Sequence, residues 1–181
     1  MCDLIQFDFL LYAWGKSSLG DFIAAKSERG LVAFEFASPD GYAVKELQER
    51  FPNVVITEHP VAMAETIAAL AHLVDHPDQD PGIPLDVRGT DYEKKVWDLL
   101  RQIPAGTTTS YGTIAAKMGT PRAARDVTTA IAANTLAILI PCHRVVKKDG
   151  SLSGYRWGSK RKRELVERER RAKKGSSSTV E

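Results

Sequence analysis

Cysteine is scarce in this chain: two among 181 residues, Cys2 and Cys142. Two thiols cannot build the disulfide framework of a small secreted domain, so a reducing compartment is the expected setting. Long hydrophobic runs are missing too. A stretch such as Leu136–Ile140 is far too short to cross a bilayer. The opening Met1–Leu11 carries an acid at Asp3 and no basic segment, unlike a secretory signal. No internal repeat or heptad is present, which excludes solenoids and long coiled coils. Hydrophobic residues at 43% and charged residues at 27% suit a globular chain. The length fits one large domain or two small ones.

The net charge of +2 conceals an asymmetry. Residues 1–91 hold 6 Lys+Arg against 15 Asp+Glu, a net −9; residues 92–181 hold 19 against 8, a net +11. Such a split points to two modules, the basic one facing a polyanion, although a basic solubilising surface has the same composition. The Pro- and Asp-rich stretch from Asp75 to Pro84 reads as the linker. We therefore expect an α+β N-terminal domain with linker over 1–84, a basic domain over 85–174 and a disordered tail over 175–181.

Strands are expected at Leu4–Trp14, Gly20–Lys26 and Gly30–Phe36, and helices at Asp40–Phe51 and Val61–Leu73. Thr90 with Glu93 forms a capping box ahead of a helix that buries Val96, Leu99, Leu100 and Ile103. Ser110 caps a short helix that Gly119 stops. Thr120-Pro121 opens another, with Ala124, Val127, Ala130 and Ile131 as its buried stripe. Short helix, glycine turn and second helix make a helix-turn-helix pattern. Arg122, Arg125 and Thr129 share the exposed face of the second helix among small residues, an arrangement that lets a helix approach a nucleic-acid groove.

Pro141-Cys142-His143-Arg144-Val145-Val146 follows. A lone cysteine after an apolar run reads as a buried, inert thiol. The His and Arg beside Cys142 instead favour thiolate, the nucleophilic form. A last basic helix, Lys160–Lys174, carries Leu165, Val166 and Glu169 on its inner face. An inward carboxylate needs a partner. His143 would complete a Cys–His–Glu set, and an arginine would serve equally. His72 and His76 have the i, i+4 spacing of metal ligands but lack a third ligand nearby, so no metal is expected.

These residues, together with Arg88-Gly89-Thr90, Val96-Trp97, Ile103-Pro104, Ser110-Tyr111, Arg125, Ala133-Asn134, Asp149-Gly150 and Ser153-Gly154-Tyr155-Arg156-Trp157-Gly158, resemble the O6-alkylguanine-DNA alkyltransferase family. The likeness runs from about Val87 to Arg171 and is strong to the C-terminal repair domain of the bacterial adaptive-response protein. It implies a ribonuclease-H-like α+β domain followed by a mostly helical, winged-helix-like one. It implies direct reversal of O6-methylguanine, and of O4-methylthymine, in duplex DNA by irreversible, single-turnover transfer to Cys142, with no cofactor. Cys142 would be the alkyl acceptor, His143 its water-bridged base and Glu169 the residue that orients His143. Tyr111 would help flip the nucleotide and donate a proton to guanine. Arg125 would fill the gap in the duplex, with Arg122 and Thr129 beside it. Asn134 would support the turn between helix and site. Tyr155, with the Val145 and Arg156 backbone, would line the guanine pocket. The implied partner is double-stranded DNA bound through its minor groove by a monomer, in the cytoplasm and nucleoid, with no membrane.

Asp126, Thr128 and Thr129 stand where the family has smaller or neutral residues, which predicts weakened DNA affinity. The adaptive-response protein's zinc domain has no counterpart here, so its phosphotriester repair and transcriptional switch are not expected. The alternatives are a lesion sensor that does not repair, a helix-turn-helix regulator, which would dimerise on paired half-sites, and a cysteine hydrolase that turns over many times.

Overall fold

The computed structural model describes residues 8–119, 123–152 and 154–177. Arg122, Ser153 and Cys2 lie outside them. The chain opens with a β-meander, β1 (Phe9–Ser17), β2 (Gly20–Lys26) and β3 (Leu31–Phe36), each strand antiparallel to the next. After α1 (Tyr42–Arg50), β4 (Val55–Glu58) adds in parallel to the far side of β1, giving the order β3-β2-β1-β4. β4 is missing from the sequence expectation: it is four residues long and mostly exposed, so no apolar alternation marks it. The helix α2 (Pro60–Asp75) then covers one sheet face with Met63, Leu70, Leu73 and Val74.

The expected linker is not free of the sheet. Leu31 donates its N–H to Pro84 O (2.8 Å) and accepts from the N–H of Asp86 (2.9 Å), so 84–86 runs along the open edge of β3. Gly30 allows this approach: a Cβ there would lie 2.4 Å from Pro84 O. The main hydrophobic cluster likewise joins both predicted parts, with Phe34 and Met63 packed in one core with Val127 and Leu165.

The second part follows its local signals closely. Thr90 caps α3 (Asp91–Arg101) with both capping-box bonds to Glu93. Ser110 Oγ accepts from the N–H of Thr113 at 3.1 Å, starting α4 (Tyr111–Met118), and Gly119 ends it in the left-handed conformation. In α5 (Ala123–Ala132), Val127, Ala130 and Ile131 are buried as expected, but Ala124 is exposed. It sits in the first turn of the helix. Trp97 Nε1 donates to Ala130 O at 2.8 Å and fixes α5 on α3. A two-strand ladder, β5 (Thr109–Ser110) with β6 (Val145–Val146), links the start of α4 to the cysteine turn. The closing helix α6 (Ser159–Ser177) runs three residues into the predicted tail. Among the described residues no helix is long and apolar enough to cross a membrane.

Candidate active site

The 3-10 turn Cys142–Arg144 carries three consecutive buried side chains of different chemistry. Three residues per turn aim them about 120° apart, so His143 and Arg144 need not lie on opposite faces as they would on a strand. His143 Nε2 and Glu169 Oε1 are 2.7 Å apart, and both residues are almost wholly buried. A carboxylate only accepts, so Nε2 carries the proton and Nδ1 keeps its lone pair. That Nδ1 is buried and has no hydrogen-bond partner among the described residues.

Arg144 turns to the same carboxylate. Its Nη2 donates to Glu169 Oε1 (2.7 Å) and its Nε to both oxygens (3.1 and 3.0 Å). Nη1 donates to Ile103 O at 2.7 Å. The Gly106 N–H adds a bond at 3.3 Å. Burial alone would push the Glu169 carboxyl up; the hydrogen bonds and charges of His143 and Arg144 outweigh it and hold it at about 2. Burial lowers the His143 pKa despite the carboxylate beside it. The imidazole is therefore a neutral base at rest.

Asn134 holds the other side of Cys142. It lies two residues past the end of α5 and is almost wholly buried. Its Nδ2 donates to Ile140 O (2.9 Å) and Cys142 Sγ (3.3 Å), and its Oδ1 accepts from the Leu136 N–H (2.9 Å). The apolar run between them is a compact turn rather than a strand. Ile138 adopts φ 67°, a conformation a β-branched residue rarely takes.

The expected activation of the thiol needs correction. Arg144 is spent on Glu169, and burial raises the Cys142 pKa. Asn134, Lys162 and Arg156 partly offset that rise. Lys162 is missing from the sequence expectation. It is fully buried on α6, with Nζ 5.7 Å from the centre of the Tyr111 ring. A signal was available, because Lys162 precedes Leu165, Val166 and Glu169 by three, four and seven residues and so shares their stripe. Arg144 had no comparable signal.

Tyr111, first in α4, is half-buried, and its hydroxyl lies 3.5 Å from where a Cβ on Gly154 would sit. Gly154 thus passes close to the Tyr111 hydroxyl. Tyr155 is buried, stacks edge-on with Trp157 (5.3 Å) and has no hydrogen-bond partner for its hydroxyl among the described residues. Val145 is fully buried beside Thr109. Arg125 and Thr129 lie on the exposed face of α5. Thr128 and Thr129 turn their hydroxyls back onto the Ala124 and Arg125 carbonyls (2.8 and 3.0 Å). Asp126, also exposed, lines a cleft of about 410 Å³ with Tyr92 and Glu93. His72 bonds Gln79 at 3.3 Å, and no group of three potential ligands occurs among the described residues.

Residues 91–171 match the family described as 6-O-methylguanine DNA methyltransferase, DNA binding domain. The inducible methylated-DNA–protein-cysteine methyltransferase of Bacillus subtilis is 35% identical over 156 residues, spanning 84% of this chain and 86% of that protein. The chain belongs to the O6-methylguanine-DNA methyltransferase family. Its mixed α+β fold matches a solved member, Mycobacterium tuberculosis OGT in complex with DNA, with a TM-score of 0.74 and 33% identity over 89% of this chain and 93% of that one. The Escherichia coli bifunctional transcriptional activator/DNA repair enzyme Ada is 42% identical over 158 residues. The chain spans less than half the length of that methyltransferase-family relative, 45%.

Proposed function

We propose that this chain is a DNA repair methyltransferase that takes the alkyl group of O6-methylguanine in duplex DNA onto Cys142. The observation that carries this reading is one 3-10 turn presenting a buried thiol next to a histidine whose Nε2 is 2.7 Å from a buried carboxylate. The target oxygen lies inside the base stack, so the nucleotide must leave it. Arg125 fills the vacated space, Arg122 and Thr129 contact the backbone, and α5 enters the minor groove. Tyr155 and the Val145 and Arg156 backbone hold the guanine.

The thiol starts protonated, because burial raises its pKa. Its proton passes to the free Nδ1 of His143 through a bridging water, and Glu169 stabilises the imidazolium. Sulfur then attacks the methyl carbon, the C–O6 bond breaks with its electron pair passing to guanine, and guanine takes a proton from Tyr111, which the proton held by His143 replaces through solvent. The thioether has no reverse path, so each molecule acts once. Nucleophile and alkyl donor supply every atom, and no cofactor enters. Lys162 and Arg156 stabilise the thiolate while it exists. The same pocket admits O4-methylthymine. The protein acts as a monomer on nucleoid DNA, with a ribonuclease-H-like first domain, a winged-helix-like second and Asn134 bracing the turn between helix and thiol.

The test is intact-protein mass spectrometry after incubation with a duplex carrying one O6-methylguanine, with Cys142→Ala as control. One methyl per chain on the wild type alone is the expected result. Selective binding of the lesion without a mass gain would make the chain a sensor, and repeated turnover would make it a different enzyme.

A further inference from the structure

Glu35 is a buried carboxylate that the transfer chemistry does not use. It stands in β3 opposite Ile23, on the sheet face that packs against Leu47 of α1. Arg50 of α1 reaches it at 3.3 and 3.5 Å. Arg156 reaches it from the other part of the chain, Nη2 to Oε1 at 3.1 Å. The same guanidinium donates to the carbonyl of Ala132, the last residue of α5 (3.3 Å), and lies 5.9 Å from the Trp157 ring centre. One side chain thus joins the sheet, the end of α5 and the segment that follows Tyr155.

A second attachment runs beside it. The backbone of Phe34, next to Glu35, accepts from the Ala137 N–H (2.9 Å) and donates to Thr135 O (2.8 Å), and Thr135 Oγ1 donates to Val32 O (3.2 Å). Both ties leave β3 and end on segments that flank Cys142, one around Asn134 and one around Tyr155.

We propose that Glu35, on the N-terminal sheet, is a positioning residue for the base pocket and acts through Arg156. The proposal rests on the alkyl-transfer reading above. An arginine side chain about one-third exposed samples many rotamers unless something holds it. Glu35 supplies a fixed acceptor at its outer end and the Ala132 carbonyl a second, which locks the Tyr155–Arg156 backbone where the flipped base must fit. The acidic first part of the chain then contributes to the chemistry without touching substrate.

The test is single-turnover methyl transfer from an O6-methylguanine duplex, followed by mass spectrometry as duplex concentration is varied. Glu35→Gln lowers the limiting rate about fivefold, the scale of a partly exposed ion pair that holds a loop, and leaves the half-saturating duplex concentration unchanged. Arg156→Gln loses at least as much, because it also removes a charge that acts on the thiolate, the double variant loses no more than Arg156→Gln alone, and Glu35→Asp recovers part of the rate. Arg50→Gln breaks the same carboxylate's bond to α1 alone, so it lowers the melting temperature and leaves the limiting rate intact. Losses that multiply in the double variant, an Arg50→Gln as slow as Glu35→Gln, or a Glu35→Gln at the wild-type rate would each overturn the proposal. Should Glu35→Gln not fold, Glu35→Asp and Arg156→Gln carry the comparison. A wild type that takes no methyl would fail at the control and remove the functional reading itself.

Discussion

Replacing Glu169 by glutamine changes little in volume and removes the charge on which the site is organised. The carboxylate accepts from His143 Nε2, Arg144 Nε and Nη2, and the Gly106 N–H, so every group facing it is a donor. A glutamine offers one accepting oxygen, and its NH2 must face a donor. Arg144 keeps its bond to Ile103 O but loses its counter-charge at 10% side-chain exposure. Breaking one partner of a buried pair costs about 3–5 kcal/mol. The carbonyl partners that Arg144 retains place this case at about 3 kcal/mol, or roughly 6–12 °C in Tm for a chain of this size. Chemically, His143 loses both the group that fixes its Nε2–H tautomer and the charge that favours its protonated form. The limiting rate of methyl transfer should fall about 10²–10³-fold, the scale of a lost general base. Glu169→Asp should restore part of it. The assay is mass spectrometry of the methylated chain over time under single-turnover conditions, alongside thermal melting. A glutamine variant that melts early yet transfers at the wild-type rate would show that Glu169 serves the fold alone and refute the base assignment. One unchanged in both would refute the network.

Three further outcomes follow from the same geometry. The Glu169 carboxyl sits at about 2 against its ordinary 4.5, so it contributes at most about 3 kcal/mol, complete above about pH 5 and lost as pH falls toward 2. Burial holds His143 below its ordinary 6.5, so the unfolded chain takes that proton first and stability again falls with falling pH. Wild-type Tm should therefore decline below about pH 6.5 and drop steeply below 5; Glu169→Gln should lack the steep part, and a flat wild-type curve to pH 3 would contradict the assignment. Lys162→Met removes a buried cation acting on the Cys142 thiol. It should slow iodoacetamide labelling of Cys142 at pH 8 about fivefold; unchanged labelling would place its charge elsewhere. Asp126→Ala should tighten binding to undamaged duplex at low salt about threefold to fivefold, the gain expected from removing one carboxylate near phosphates. Equal affinities across a salt titration would end that explanation of the acidic substitution.

What could be read from the sequence was local. The Thr90–Glu93 box, the Ser110 cap and the Gly119 stop each act within a few residues, and all three formed as expected. Glu169 was legible for a similar reason, since helical spacing alone turned it inward beside Leu165 and Val166. The same spacing held Lys162, whose type hid it: a lysine in a basic helix looks solvated until the fold encloses it. β4 was silent because it gains its partner, β1, from more than forty residues away and buries almost nothing. The linker's pairing with β3 and the reach of Arg156 to Glu35 are likewise long-range closures with no periodic trace. The thiol shows the limit most clearly. Neighbours in sequence predicted a thiolate, with Arg144, two residues on, supplying the charge. The 3-10 turn directs that cation at Glu169, while burial, a property of the whole core, decides the resting state of the sulfur. A buried neutral thiol beside a neutral imidazole is ionised only when a proton moves between them. The proposed mechanism therefore turns on His143 and its carboxylate more than on any charge adjacent to Cys142 in the chain.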